Sequence, residues 1–161
     1  MGNQQLFIQM AITAWKSHNK RVDELLNTLT DEQLATPTAP GRNSGVYLLG
    51  HLAAVNDNLF VLLGFGERLH PELDLPFLQS PDGAGLSIPD TVSLRKYWEE
   101  INSALSTAVD ELSTEGWFEK HSAVSSEDFA KEPHRNKLNI LLNRTNHQAY
   151  HLGQMNYLKT K

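Results

Sequence analysis

The sequence predicts an all-α fold, specifically a four-helix bundle. Four long stretches carry apolar residues at steps of three and four, the helical period. No apolar run alternates over a length useful for a strand. Glycine and proline collect between the four stretches rather than within them. At 161 residues the chain is long enough for one domain, 1–161, with its own hydrophobic core.

The first helix is expected over 3–29, with Phe7, Ala11, Trp15, His18, Val22, Leu25 and Leu29 as its apolar stripe. Thr30 followed by Gln33 has the form of a capping box opening a short extra turn. Pro37, Pro40 and Gly41 then break the chain. A second helix starts at Asn43 or Ser44, either of which can cap it. Its stripe is Leu48, Leu52, Val55, Leu59 and Leu62, and Gly64 and Gly66 end it.

Residues 64–90 form a proline-rich connection, long enough that the second and third helices need not be antiparallel neighbours. The third helix begins after Asp90, and its stripe is Leu94, Trp98 with Tyr97, Ile101, Leu105, Ala108 or Val109, and Leu112. A polar connection, 113–133, leads to a fourth helix over 135–159. Trp15 and Trp98 are assigned to the core. Leu138, Leu142, Ala149 and Leu152 lie opposite the line of Ile140 and His147, so the fourth helix is apolar on two sides. Either a connection folded over it or a homodimer interface would cover the second side.

A net charge of -5 and the lack of any Lys/Arg cluster argue against a nucleic-acid partner. The chain has no cysteine, which excludes disulfides, thiolate ligands and a cysteine nucleophile. No apolar run approaches the roughly 18 residues of a membrane span, and the N-terminal residues lack a signal-peptide core. A cytoplasmic protein with no membrane partner is the expectation.

The chemistry-bearing residues are histidines. His147 and His151 are four apart, so on a helix both imidazoles point to one spot. His51 falls beside the apolar stripe of the second helix. Packed helices lie about 8–10 Å apart, so an imidazole from each side can meet at one ion. Three nitrogens with open positions are a common way of holding a catalytic metal. The alternative for each histidine is a hydrogen-bonded core residue.

Gln154, Asn58 and Asn143 are candidates to orient these rings from behind, as metal-bound imidazoles require. Asp57 is a candidate acid–base group. His18 is either a core histidine or a pocket residue near the metal. Arg144, one turn before His147, reads first as a surface ion pair and second as a receiver for an anionic substrate group. His70, His121 and His134 fall in connections and are read as solvated. The paired Glu-x-x-His sequences of a di-metal oxidase are absent.

The segment Val46-Tyr47-Leu48-Leu49-Gly50-His51-Leu52-Ala53, followed by His147-x-x-x-His151-x-Gly153-Gln154, resembles the DinB-like (DinB/YfiT) superfamily. The resemblance covers nearly the whole chain. It implies a four-helix bundle of unusual connectivity with a three-histidine metal site, which by position is His51, His147 and His151. It also implies kinship with transferases that use low-molecular-weight thiols. Two chemistries stand open: hydrolysis through an activated water, or transfer of an external thiol to a small-molecule substrate. One divalent ion (zinc, nickel or iron) is the expected cofactor. A bundle that binds metal or a small molecule without turnover is the alternative. Substrate specificity is expected to reside in the 64–90 and 113–133 connections.

Overall fold

The computed structural model describes residues 2–160. Met1 and Lys161 of the expected domain lie outside the described residues. The fold is all-α. Among the described residues no strand forms, and two isolated bridges, Pro37 with Ser44 and Lys120 with Asn136, tie loop ends together. Four long helices carry the core: α1 (Asn3–Leu26), α3 (Gly45–Asp57), α6 (Thr91–Glu111) and α9 (Lys137–Met155). Short helices fill the connections: α2 (Asp31–Leu34), α4 (Leu59–Leu63), α5 (Asp74–Phe77), α7 (Thr114–Trp117) and α8 (Ser126–Lys131). A 3-10 turn over Pro71–Leu73 precedes α5, and another over Asn156–Thr160 follows α9.

Local chemistry sets the helix ends. Ser44 caps α3 through the Tyr47 N–H, and Asp90 caps α6 through the Ser93 N–H. The Thr30/Gln33 capping box forms with both of its hydrogen bonds. Gly64 closes α4 with φ 75°, a left-handed value that suits glycine.

The long helices pack pairwise: α1 on α9, α3 on α6, α3 on α9 and, less extensively, α1 on α6. Helix α3 is the most enclosed, with residues buried on all of its sides. The continuous helix expected to reach Leu62 instead breaks at Asn58 between α3 and α4. The 19-residue stretch Gly45–Leu63 is long and apolar enough to cross a membrane by composition, contrary to the sequence reading. However, 72% of it is buried inside the fold, as in the core helix of a globular domain.

The expected first stripe is buried at Ala11, Trp15, Val22, Leu25 and Leu29 but departs from expectation at Phe7 and His18. Ile8 and Ile12 are buried while Phe7 is 49% exposed, and α1 ends at Leu26 rather than Leu29. Asn19, not His18, enters the core. Trp15 and Trp98 are buried as expected. The core face of α9 runs through Leu138, Leu141, Thr145, Gln148, Leu152 and Met155. Leu138 and Leu152 of the two-sided apolar pattern lie on this core face, with Leu142 and Ala149 half-buried beside it. Helix α7, carrying buried Trp117, also packs on α9.

A buried amide chain crosses the interior. The Asn56 amide donates to Asn102 Oδ1 (2.8 Å) and Gln148 Oε1 (3.4 Å), and the Gln148 amide donates to Asn19 Oδ1 (2.7 Å). One polar residue from each long helix is thereby satisfied by another.

Candidate metal centre

The histidine line of α9 lies on the flank of its core stripe. At about 100° per residue, His147 and His151 sit roughly a quarter-turn or more from the Leu141–Thr145–Leu152 line. All three histidines are consequently half-buried rather than interior. His51 comes from the facing side of α3, and the three rings converge edge to face.

His147 Nε2 is 3.2 Å from His51 Nε2 and 3.0 Å from His151 Nε2. Two nitrogens held at about 2.0–2.1 Å by a single ion lie roughly 3.0–3.4 Å apart. Two of the three donor pairs therefore already have the spacing of ligands to one metal, and the three ligand atoms all lie within 4.8 Å of one another.

The ring orientations agree. His51 Nδ1–H donates to the Phe77 carbonyl (2.8 Å), and His151 Nδ1–H donates to Gln154 Oε1 (2.8 Å). Both acceptors fix the tautomer that leaves a lone pair on Nε2, facing the common point. His147 Nδ1 is buried and has no partner. Burial, followed by the nearby His151, His51 and Arg144, pushes the His147 pKa down to about 4. Burial also holds His151 below its ordinary value; the Gln154 bond opposes this and His51 adds to it. Neutral imidazoles are what a metal requires of its ligands.

The 64–90 connection builds one wall. Gly50, next to His51, has no room for a side chain: a Cβ there would lie 2.4 Å from Phe77 Cε1 and Cζ. The bare helix surface lets the buried Phe77 ring seat against α3, and that seat delivers the Phe77 carbonyl to His51. Tyr47 stacks on His51 with ring centroids 6.2 Å apart and donates to the Ser80 carbonyl.

A cavity of about 290 Å³ opens beside this wall, lined by Tyr47, Phe77, Pro81, Leu86 and Ile88 among others. A larger cavity of about 590 Å³ lies between α1 and α6 against Asn19, Asp23, Trp98 and Asn102, and no histidine lines it.

The remaining candidates separate. Gln154 is in place behind His151. Asn58 marks the α3–α4 break and makes no bond to His51, because the Phe77 carbonyl occupies that role. Asn143 is exposed. His18 is half-buried, with Nδ1 on its own helix at Ala14 O (2.9 Å), and is not one of the clustered histidines.

Asp57 is fully buried and works as an anchor rather than an acid–base group. It accepts from the backbone N–H of Leu69 (2.8 Å) and His70 (3.0 Å) and from Arg68 Nε (3.1 Å). Arg68 also pairs with Asp74. His70 is not solvated. It stacks on Tyr97 at 3.8 Å between Glu72 and Glu100. His121 is likewise buried, its Nδ1 accepting from the Ala123 N–H.

Among the described residues Arg144 has no ion pair, contrary to the simpler sequence reading; its Nε is buried without an acceptor. Phe77 and Tyr47 were missed from the sequence as site residues. The Gly50-His51 pair was the available signal, since a glycine mid-helix implies close approach of another segment.

The overall fold is similar to that in the crystal structure of a conserved protein from Enterococcus faecalis. The TM-score is 0.66 with 17% sequence identity, covering 99% of this chain and 96% of that one. At this identity the likeness concerns the fold alone. No curated protein matches the chain. The family match runs from the middle of α1 to the last residue of α9 and encloses all three histidines. Over residues 14–155 the sequence fits the DinB superfamily, and the chain belongs to that superfamily, in a form compatible with binding metal.

Proposed function

We propose that this protein is a metal-dependent enzyme acting on a small molecule, as a hydrolase or as a transferase using a low-molecular-weight thiol. The observation that carries the reading is the convergence of three Nε2 atoms from two helices, with two of the rings locked from behind. A divalent ion held by three neutral imidazoles keeps its full charge and supplies Lewis acidity and an activated water or thiol near neutral pH.

The chain's own residues do the rest. The Phe77 carbonyl and Gln154 hold two ligand rings in one tautomer. Tyr47 and the residues around Phe77 wall off one side of His51, and the same two side chains line a largely apolar cavity. With no cysteine in the chain, a sulfur nucleophile must arrive on a cosubstrate.

The test is elemental analysis of untagged protein, purified without chelators, beside a His51→Ala/His147→Ala variant. About one ion per chain in the wild type, lost in the variant, is the expected result for a single three-ligand site. Thiol-transfer and hydrolysis screens then follow. Absence of metal after reconstitution would remove the enzyme reading.

A further inference from the structure

Among the described residues, four arginines are half-buried: Arg68, Arg95, Arg135 and Arg144. Three have partners. Arg68 binds Asp57 and Asp74, Arg95 binds the carbonyls of Leu26 and Leu29, and Arg135 pairs with Glu132. Arg144 alone has none, and its Nε is sealed from solvent. Burial lowers its pKa, with no counter-charge to offset that. A half-buried guanidinium whose Nε meets neither solvent nor an acceptor is costly, and an unsatisfied buried donor in a folded protein calls for a cause.

Its position supplies one. Arg144 is three residues before His147 and seven before His151, so it lies within about 60° of the first and about 20° of the second around α9. Its charge is felt at His147. Three carboxylates around the adjoining connection are committed elsewhere. Asp57 and Asp74 hold Arg68, and Asp82 accepts from the Ser44 N–H. With a divalent ion on the three neutral rings, the charge of ion and guanidinium together would be about +3 before any ligand binds. Such a site draws anions strongly.

We propose that Arg144 binds an oxyanion group, a carboxylate or a phosphate, on the small molecule handled at the histidine centre. The guanidinium presents paired N–H donors that match two oxygens of either group. The substrate class is thereby narrowed to anionic molecules whose charged end lies about one helical turn from the reacting end. This rests on the metal-centre reading for the role of the site. Oxyanion binding itself is measurable without metal.

The experiment follows the Arg144 Nε–H signal by 15N NMR, assigned by its loss in Arg144→Gln. Acetate and inorganic phosphate are titrated separately into metal-free and zinc-reconstituted protein. The expected result is a saturable shift of the Arg144 signal in at least one form, with the tighter anion naming the group. Arg144→Gln should retain its metal and fold, and should bind that anion at least about tenfold more weakly by calorimetry, the loss expected for a charge-assisted fork.

An Arg144 signal that moves with neither anion in either form overturns the proposal. So does equal affinity in Arg144→Gln. Arg144→Met, which keeps the stem without the charge, should be at least as stable as wild type; a clear fall in Tm assigns the side chain to packing and overturns the proposal. A saturable shift in protein that refuses metal would leave the oxyanion site standing while removing the enzyme reading.

Discussion

Gly50→Ala isolates the link between the 64–90 connection and the metal ligands. The added Cβ would lie 2.4 Å from two Phe77 ring carbons and 2.6 Å from a third. Ordinary carbon–carbon contact is about 3.5–4.0 Å, so the ring must retreat by roughly 1 Å or leave its rotamer. The same residue's carbonyl sits 2.8 Å from His51 Nδ1. A retreat of about 1 Å carries it beyond hydrogen-bonding range.

Overpacking costs about 1–3 kcal/mol, and replacing a mid-helix glycine by alanine returns about 1 kcal/mol, so the stability loss is about 0–2 kcal/mol. Loss of the acceptor behind a ligand typically lowers metal affinity about 10–100-fold. The assay is zinc affinity by chelator competition, beside thermal melts of the metal-free protein. Gly50→Ala/Phe77→Leu is the control, because the smaller side chain relieves the clash while keeping the backbone carbonyl. It should recover most of the affinity. Wild-type zinc affinity in Gly50→Ala would refute the claim that Phe77 orients His51.

Gly153→Ala should behave oppositely: a Cβ there meets nothing within 4 Å, so melts should show a gain of up to about 1 kcal/mol with zinc affinity unchanged. Gln148→Met leaves Asn19 Oδ1 without its donor inside the core, while the Asn56 amide keeps its bond to Asn102; denaturant unfolding should record a loss of about 1–3 kcal/mol, the cost of leaving a buried polar group unpaired. Asp57→Asn keeps the shape but turns an amide donor toward donors. Proteolysis within 64–90 should accelerate, and stability should fall by about 3–5 kcal/mol as for a broken buried pair. His121 is held below the ordinary imidazole value by burial, then by Arg135 and Lys120. As pH drops below about 6.5, the unfolded chain takes the proton first, so stability falls with acidification, and His121→Asn should flatten that slope in pH-dependent melts.

The legible parts were those encoded by local periodicity and short-range geometry. The four long helices, the Thr30 and Asp90 caps and the His147/His151 pair all follow from spacing within one helix. Placing the histidine line on the flank of α9 required knowing which side faced α1, and an apolar pattern spread over two sides did not decide that. Phe7 in place of Ile8 is the same error in α1, a misplacement of adjacent apolar residues. The roles of Asp57, His70 and Phe77 were not legible for a different reason. Each depends on where a proline-rich connection folds back, and its contacts span 11 residues or more along the chain. The break at Asn58 has no glycine or proline to announce it.

The two halves of the histidine centre therefore rest on different kinds of support. His151 is oriented by Gln154 three residues on, within the same helix, so that bond survives as long as α9 does. His51 is oriented across 26 residues by a carbonyl whose position depends on the whole connection. That connection is pinned at one end by buried Asp57 and at the other by Tyr47 on Ser80 and Asp82 on Ser44. Any ligand that binds better when His51 is held must favour the ordered connection by the same free energy, because linkage is reciprocal. The cavity beside Tyr47 and Phe77 is lined by that same connection. Holding the His51 ring and shaping the cavity beside Tyr47 and Phe77 are accordingly one structural event, which couples that cavity to the histidine cluster without a direct bond between them.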